Sequence, residues 1–276
     1  MLQLRSLQRY IQHRPTRALL SSSRSLSISS TGADADAEFA LGVKCLLGKA
    51  DGEMGSTSSV HGAVLHWTNA AEMGHIRAQG ALGSLYLTGN NGILRSDEVP
   101  RDLERAVHYW TKAAENGHMA ASYDLGVMYA RGLHVNQDNE KAVQLYRQAA
   151  KQNMPEASRA LGNAYLHGRG VWKSTEQAIK HFQRAAEAGN ALAQFDLGAC
   201  FMLGRGIEQD YAKAAQFFFL AAESGVVEAQ LCLAQLFENG QGIPANRNKA
   251  VEYYHLAAKR GLQEAIWALD RLEVPH

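Results

Sequence analysis

Apolar positions recur along this chain at helical spacing, and then recur again as whole blocks. In one kind of block a leucine is followed four residues later by a ring, as in Leu125/Tyr129, Leu161/Tyr165, Leu197/Phe201 and Leu233/Phe237. A second kind follows a short glycine-containing stretch. It carries a ring and, three residues on, two alanines: Tyr146 with Ala149-Ala150, Phe182 with Ala185-Ala186, Phe218 with Ala221-Ala222, Tyr254 with Ala257-Ala258. Spacings of three and four put such residues on one stripe of a helix. Runs alternating apolar and polar, as a half-buried strand requires, are missing from the sequence. The pattern predicts paired helices and an all-α fold.

The pairs repeat in register. Copies beginning at Tyr129, Tyr165, Phe201 and Phe237 lie 36 residues apart. Two looser copies precede them, Leu82-Gly83 with Ala113-Ala114 and Leu41-Gly42 with Ala70-Ala71, at spacings of 43 and 41 residues. Each therefore carries a loop insertion, Thr88 to Arg101 in one and Gly48 to Val60 in the other. A fixed period of this size marks a solenoid. Within each unit the sequence predicts a helix A holding the Leu-Gly pair, a tight turn, and a helix B. Helix B opens at Asp102, Asp138, Ser174, Asp210 or Asn246, whose side-chain oxygens suit the free N–H groups of a first turn. It ends at Gly74, Gly117, Gly189, Gly225 or Gly261, with Asn153 once, where a left-handed residue is wanted. Large rings, including Trp67 and Trp110, alternate with alanines so that helices approach closely. The recurring Gly-x-Gly is a turn of this repeat. A phosphate loop would need a single such turn between a strand and a helix.

The string A-x-x-x-L-G-x-x-Y, the glycine turn, K-A-x-x-x-[YF]-x-x-A-A and the terminal glycine together resemble the Sel1-like repeat, a relative of the tetratricopeptide repeat, over about residues 36 to 272. The resemblance implies an α/α superhelical solenoid of helix-turn-helix repeats across residues 34–276. The repeats fall at about 34–75, 76–118, 119–154, 155–190, 191–226 and 227–262, with a capping helix at 263–273. The first copy departs most, and its N-cap is unclear.

Charge changes the picture only at the N-terminus. Residues 1–33 hold five arginines and no acid, leaving 23 basic and 27 acidic residues for the rest. In that segment Leu4, Leu7 and Ile11 share a helical face opposite Arg5, Arg9 and Gln12, and Pro15 ends the pattern. An Arg- and Ser-rich, acid-free amphipathic leader is expected to be a mitochondrial presequence, disordered in itself. The expected address is mitochondrial, in the matrix or associated with the inner membrane. The mildly acidic remainder gives no footing for nucleic acid. No apolar run reaches the length of a transmembrane segment.

Candidate chemistry is sparse. Cys45, Cys200 and Cys232 form no CxxC pair, and Cys45 falls on the packed ring position of helix A. His66, His108, His181 and His255 lie at or beside the helix B ring without metal-ligand spacing. The acids Glu72, Glu115, Glu187 and Glu223 and the lysines Lys141, Lys213 and Lys249 recur, which marks a repeat-wide solvated role, whereas a catalytic group is unique. No catalytic residue, metal site or cofactor is expected, and the chain is read as non-enzymatic. By the related tetratricopeptide geometry, helix A lines a concave face. The positions two before, two after and five after the leucine would then meet a partner protein's peptide or helix. From that row Tyr123, Arg159, Asn163, Phe195, Met202 and Gln235 are the expected protein-binding residues. The other reading is that the row packs between adjacent helices. The family resemblance implies an adaptor in respiratory-complex assembly, protein quality control or stress signalling. An adaptor of endoplasmic-reticulum degradation type and a hydrolase with an unrecognised site are the alternatives.

Overall fold

The computed structural model describes residues 30–47, 59–89 and 99–274. Of the expected leader, residues 1–29 lie outside the described residues, whereas residues 30–33, expected to be disordered with it, form the start of the first helix; most of both insertions also lie outside. Among those described there are thirteen helices and no strand: α1 (Ser30–Leu47), α2 (Val60–Glu72), α3 (Ile76–Thr88), α4 (Leu103–Glu115), α5 (Met119–Arg131), α6 (Asn139–Lys151), α7 (Pro155–His167), α8 (Thr175–Glu187), α9 (Ala191–Leu203), α10 (Tyr211–Glu223), α11 (Val227–Asn239), α12 (Arg247–Ala258) and α13 (Gln263–Arg271). The fold class is the expected solenoid of helical hairpins. The chain forms two compact units that meet in sequence at Ala149/Ala150.

Local signals in the sequence set the helix ends. Oxygens of Asp102, Asp138, Ser174, Asp210 and Asn246 each accept the N–H three residues on, at 2.9–3.3 Å. Ser59 does the same for Gly62 and supplies the cap that was unclear in the first copy. The backbone N–H of each later cap also donates to the carbonyl of the helix A ring before it, as Asp138 to Tyr129 and Ser174 to Tyr165, both at 2.9 Å. Asp102 makes this bond to Tyr86 at 2.9 Å despite the insertion between them. The extra residues therefore leave the hairpin closed as in the shorter units. Helix A takes caps that residue preference did not anticipate. Nδ1 of His75 and of His118 accepts the N–H of Ala78 and of Ala121, the task Asn190 performs for Ala193.

Both units are filled in the same way. In the first, Trp67 is 0% exposed and covers Gly42, and Trp110 covers Gly83. Their indole N–H groups donate to the carbonyls of Phe39 and Gly80, each at 3.3 Å. In the second unit Phe182 covers Gly162 and Phe218 covers Gly198. The alanine pairs beneath are buried, so helix backbones come together with little side chain between them. Buried glutamines tie three of the A helices to the end of the preceding helix B: Gln79 donates to Ala71, Gln194 to Ala186 and Gln230 to Ala222. Helix A rings stack on helix B neighbours, Tyr86 on Tyr109, Tyr165 on His181, Phe201 on Phe217 and Phe237 on Tyr253, at 5.5–6.0 Å between centroids.

Candidate protein-binding surface

The recurring lysines and two of the recurring histidines make contacts within the fold. Lys141, Lys213 and Lys249 stand over Tyr129, Phe201 and Phe237 at 4.2–5.4 Å, cations on ring faces at the open side of each hairpin. The acids Glu72, Glu115, Glu187 and Glu223 are exposed. His181 is stacked on Tyr165, and His66 bonds Glu38 at 2.8 Å. Burial pushes the Cys200 and Cys232 thiols up to about 11, so both are protonated and poorly nucleophilic near neutrality. Among the described residues no group of three His, Cys, Asp or Glu converges as a metal site would require.

Of the six expected binding residues, Tyr123 belongs to the first unit and the other five to the second. Tyr123 is half-buried against Tyr146, with centroids 5.8 Å apart. Phe195 is half-buried against Phe218 at 5.7 Å. Both rings thus pack partly within the repeat while keeping one side open. Arg159 is paired within the chain: its Nε donates to Asp196 Oδ2 at 2.6 Å, across α7 and α9, while the side chain keeps 30% exposure. Asn163 bonds the same carboxylate. Burial raises the Asp196 pKa, and Arg159 and Asn163 pull it back down. Asp196 lies one residue before the leucine, outside the expected row, and nothing in the sequence singled it out.

Met202 and Gln235 come together. They line one open cleft of about 410 Å³ with Glu238, Trp267, Tyr254, Glu264 and Arg271. Four of these, Met202, Gln235, Glu238 and Trp267, are row positions from three successive A helices, α9, α11 and α13. Trp267 is 62% exposed, and Gln235 is exposed. The wall is stiff. Glu238 accepts Tyr254 Oη at 2.6 Å and Arg271 at 2.7 and 2.9 Å on its two oxygens. Burial together with that carboxylate raises the Tyr254 phenol, so it stays a donor. In the first unit Ser84, Leu87 and Val127, also row positions, line a smaller apolar cleft of about 220 Å³ with Trp110 and Leu133. An open aromatic beside a thioether and fixed polar groups is the make-up of a peptide-binding surface.

Comparison with known proteins follows the same repeat boundaries. The Sel1 repeat profile matches residues 76–118, 120–154, 155–190, 191–226 and 227–262. The first hairpin, α1 with α2, precedes that span and makes the same ring-on-glycine contact. The fold is similar to that of c5321, a protective antigen of uropathogenic Escherichia coli with an SLR fold, at 30% identity and a TM-score of 0.76 over 85% of this chain. This chain spans 48% of that protein's length. A Sel1 repeat protein from Oxalobacter formigenes is 32% identical, with a TM-score of 0.72 over 88% of this chain and 67% of its own. No curated protein matches the sequence. Sel1-repeat proteins are generally protein-interaction scaffolds and typically non-catalytic. With five profile-matched repeats covering most of its length, the chain belongs to the Sel1-repeat family.

Proposed function

We propose that this chain is a mitochondrial adaptor that holds a partner protein's peptide or helix on the helix A row, serving assembly, quality control or stress signalling in that compartment. The observation that carries the binding role is the cleft of Met202, Gln235, Glu238 and Trp267, in which row residues of three helices surround a largely exposed indole. A ring of this kind, once covered and desolvated, contributes at least ~2 kcal/mol on truncation when it is central to an interface. The Trp267→Ala/Gln235→Ala variant should keep the circular dichroism of the natural chain, because neither side chain is buried. It should lose the neighbours that proximity labelling assigns to the natural chain in intact cells. An unchanged neighbour set from a folded variant would place the contact elsewhere.

The mitochondrial address rests on the acid-free, arginine-rich N-terminus. Replacing Arg5, Arg9, Arg14 and Arg17 with Glu should abolish recovery in mitochondria. Undiminished import of that variant would refute the address while leaving the binding role intact.

A further inference from the structure

Trp172 is 95% exposed, the most open large apolar side chain among the described residues. It stands in the turn from α7 to α8, where neighbouring repeats carry Asn136, Glu208 and Pro244. The repeat does not need a ring there. Arg169 and Lys173, both exposed, flank it, and the turn between His167 and Ser174 contains no acid.

The next turn lies alongside. Gly206 approaches the first residue of α8 so closely that a β-carbon there would stand 2.5 Å from Thr175 Cβ. That turn adds Leu203, 50% exposed, and Arg205. Nearby acids are mostly committed: Asp210 to Lys213 at 3.3 Å and Glu176 to Lys180 at 2.7 Å. Arg169, Lys173 and Arg205 remain against Glu208. A protein anchor is usually rimmed by contacts that exclude water. This indole stands 95% exposed in a turn that supplies cations and glycines. An amphipathic indole with basic neighbours suits the headgroup level of a bilayer whose lipids are anionic.

We propose that the edge formed by the turns at residues 168–174 and 203–210 docks on an anionic lipid bilayer, with Trp172 seated among the headgroups. The test uses the full chain carrying Trp267→Phe. Trp67 and Trp110 are buried, so Trp172 becomes the exposed emitter. Vesicles of phosphatidylcholine, alone or mixed with phosphatidylglycerol, carry brominated acyl chains that quench an inserted indole. Trp172 emission should be quenched by the mixed vesicles, spared by the neutral ones, and recovered in high salt. Arg169→Gln/Lys173→Gln should weaken the binding read by Trp172 quenching by about five-fold for each charge removed. The basic N-terminus could bring the chain to vesicles unaided, but it holds no tryptophan, so quenching reports the turn alone. Unquenched Trp172 on vesicles that do sediment the protein would overturn the proposal. So would failure to sediment, or equal quenching of Trp172 in the charge variant. Loss of a crosslinked protein neighbour in Trp172→Ala, without any vesicle binding, would make the ring a protein anchor and refute it likewise.

Discussion

The ring of Phe182 lies on Gly162 so closely that a β-carbon at that glycine would stand 2.5 Å from both Cδ1 and Cε1. Phe182 is itself 0% exposed and cannot swing away. The pair explains the Leu-Gly signature: glycine is present because the neighbouring helix B delivers a ring to that spot. Where the signature reads Leu233-Ala234, the facing ring is Tyr254, which is fixed by its bond to Glu238.

Gly162→Ala tests this contact. In a helix interior the change alone would stabilise by roughly 0.5–1 kcal/mol. Overpacking costs about 1–3 kcal/mol, so the net effect should be a loss. Phe182→Ala should cost about 3–5 kcal/mol. Phe182→Leu combined with Gly162→Ala should cost less than the two singles together, because the smaller side chain yields space. Urea unfolding midpoints read all three, and a stabilised Gly162→Ala would contradict the assignment.

The Arg159–Asp196 pair makes a prediction that depends on pH. Burial raises the Asp196 pKa. Its contribution to stability is therefore full below the unfolded value and declines as pH rises through the folded one. Arg159→Leu removes the cation that limits this and leaves a carboxylate in a mostly buried place. The loss should fall below the ~3–5 kcal/mol of a fully buried pair, since the Arg159 side chain keeps 30% exposure. It should be larger at about pH 7 than at about pH 4, where protonation relieves the charge. The double variant Arg159→Leu/Asp196→Leu should lose less than Arg159→Leu. Equal losses at both pH values would mean that the pair is solvated and contributes little.

His75 predicts the opposite slope. Its Nδ1 accepts the Ala78 N–H while Nε2 faces Asp36 at 3.0 Å, so the neutral imidazole with hydrogen on Nε2 satisfies both contacts. Burial lowers its pKa. Its contribution is full above the ordinary histidine value and fades as pH falls through the depressed folded value. His75→Asn keeps a capping oxygen, as Asn190 shows, and removes the titration. That variant should unfold less readily than the natural chain on mild acidification. Parallel stability curves for the two would rule out His75 as the source.

Much of this was legible because repetition turns a weak residue preference into a strong pattern. The helix B caps, the terminal glycines, the buried rings and the alanine stripe all follow from spacing within one hairpin. What escaped depends on neighbours across hairpins or on residue types used unusually. Histidine is outside the usual capping set, so His75 and His118 went unread as caps. The repeated lysines are exposed, as expected, but their position over rings is not legible in the sequence, because a lysine and a ring on different helices meet only once the hairpin closes. Asp196 has one counterpart, Asp124, at the same repeat position, but its link to Arg159 needs α7 and α9 in register. Trp267 falls on the row, two residues before Leu269, but its cleft exists only where α9, α11 and α13 line up.

The two glycines of α8 and its following hairpin separate backbone strain from contact. Gly189 ends α8 at φ +82°, and a β-carbon there would meet nothing within 4 Å. Gly206 sits in the next turn at φ +70°, and a β-carbon there would stand 2.5 Å from Thr175 Cβ, 2.6 Å from its hydroxyl and 3.2 Å from its backbone carbon. Alanine at either site carries the left-handed penalty of roughly 1–2 kcal/mol. Only at Gly206 must the turn also move off the start of α8, and the backbone carbon there cannot rotate aside as a side-chain tip would. Gly206→Ala should therefore be the more damaging substitution, by about a further 1–3 kcal/mol of overpacking. Thr175→Gly in the same chain should recover part of that excess and do nothing for Gly189→Ala. Denaturant midpoints that rank the two alanine variants equally would show that the second glycine of each Gly-x-Gly turn is there for its backbone angle and not for the packing of one repeat on the next.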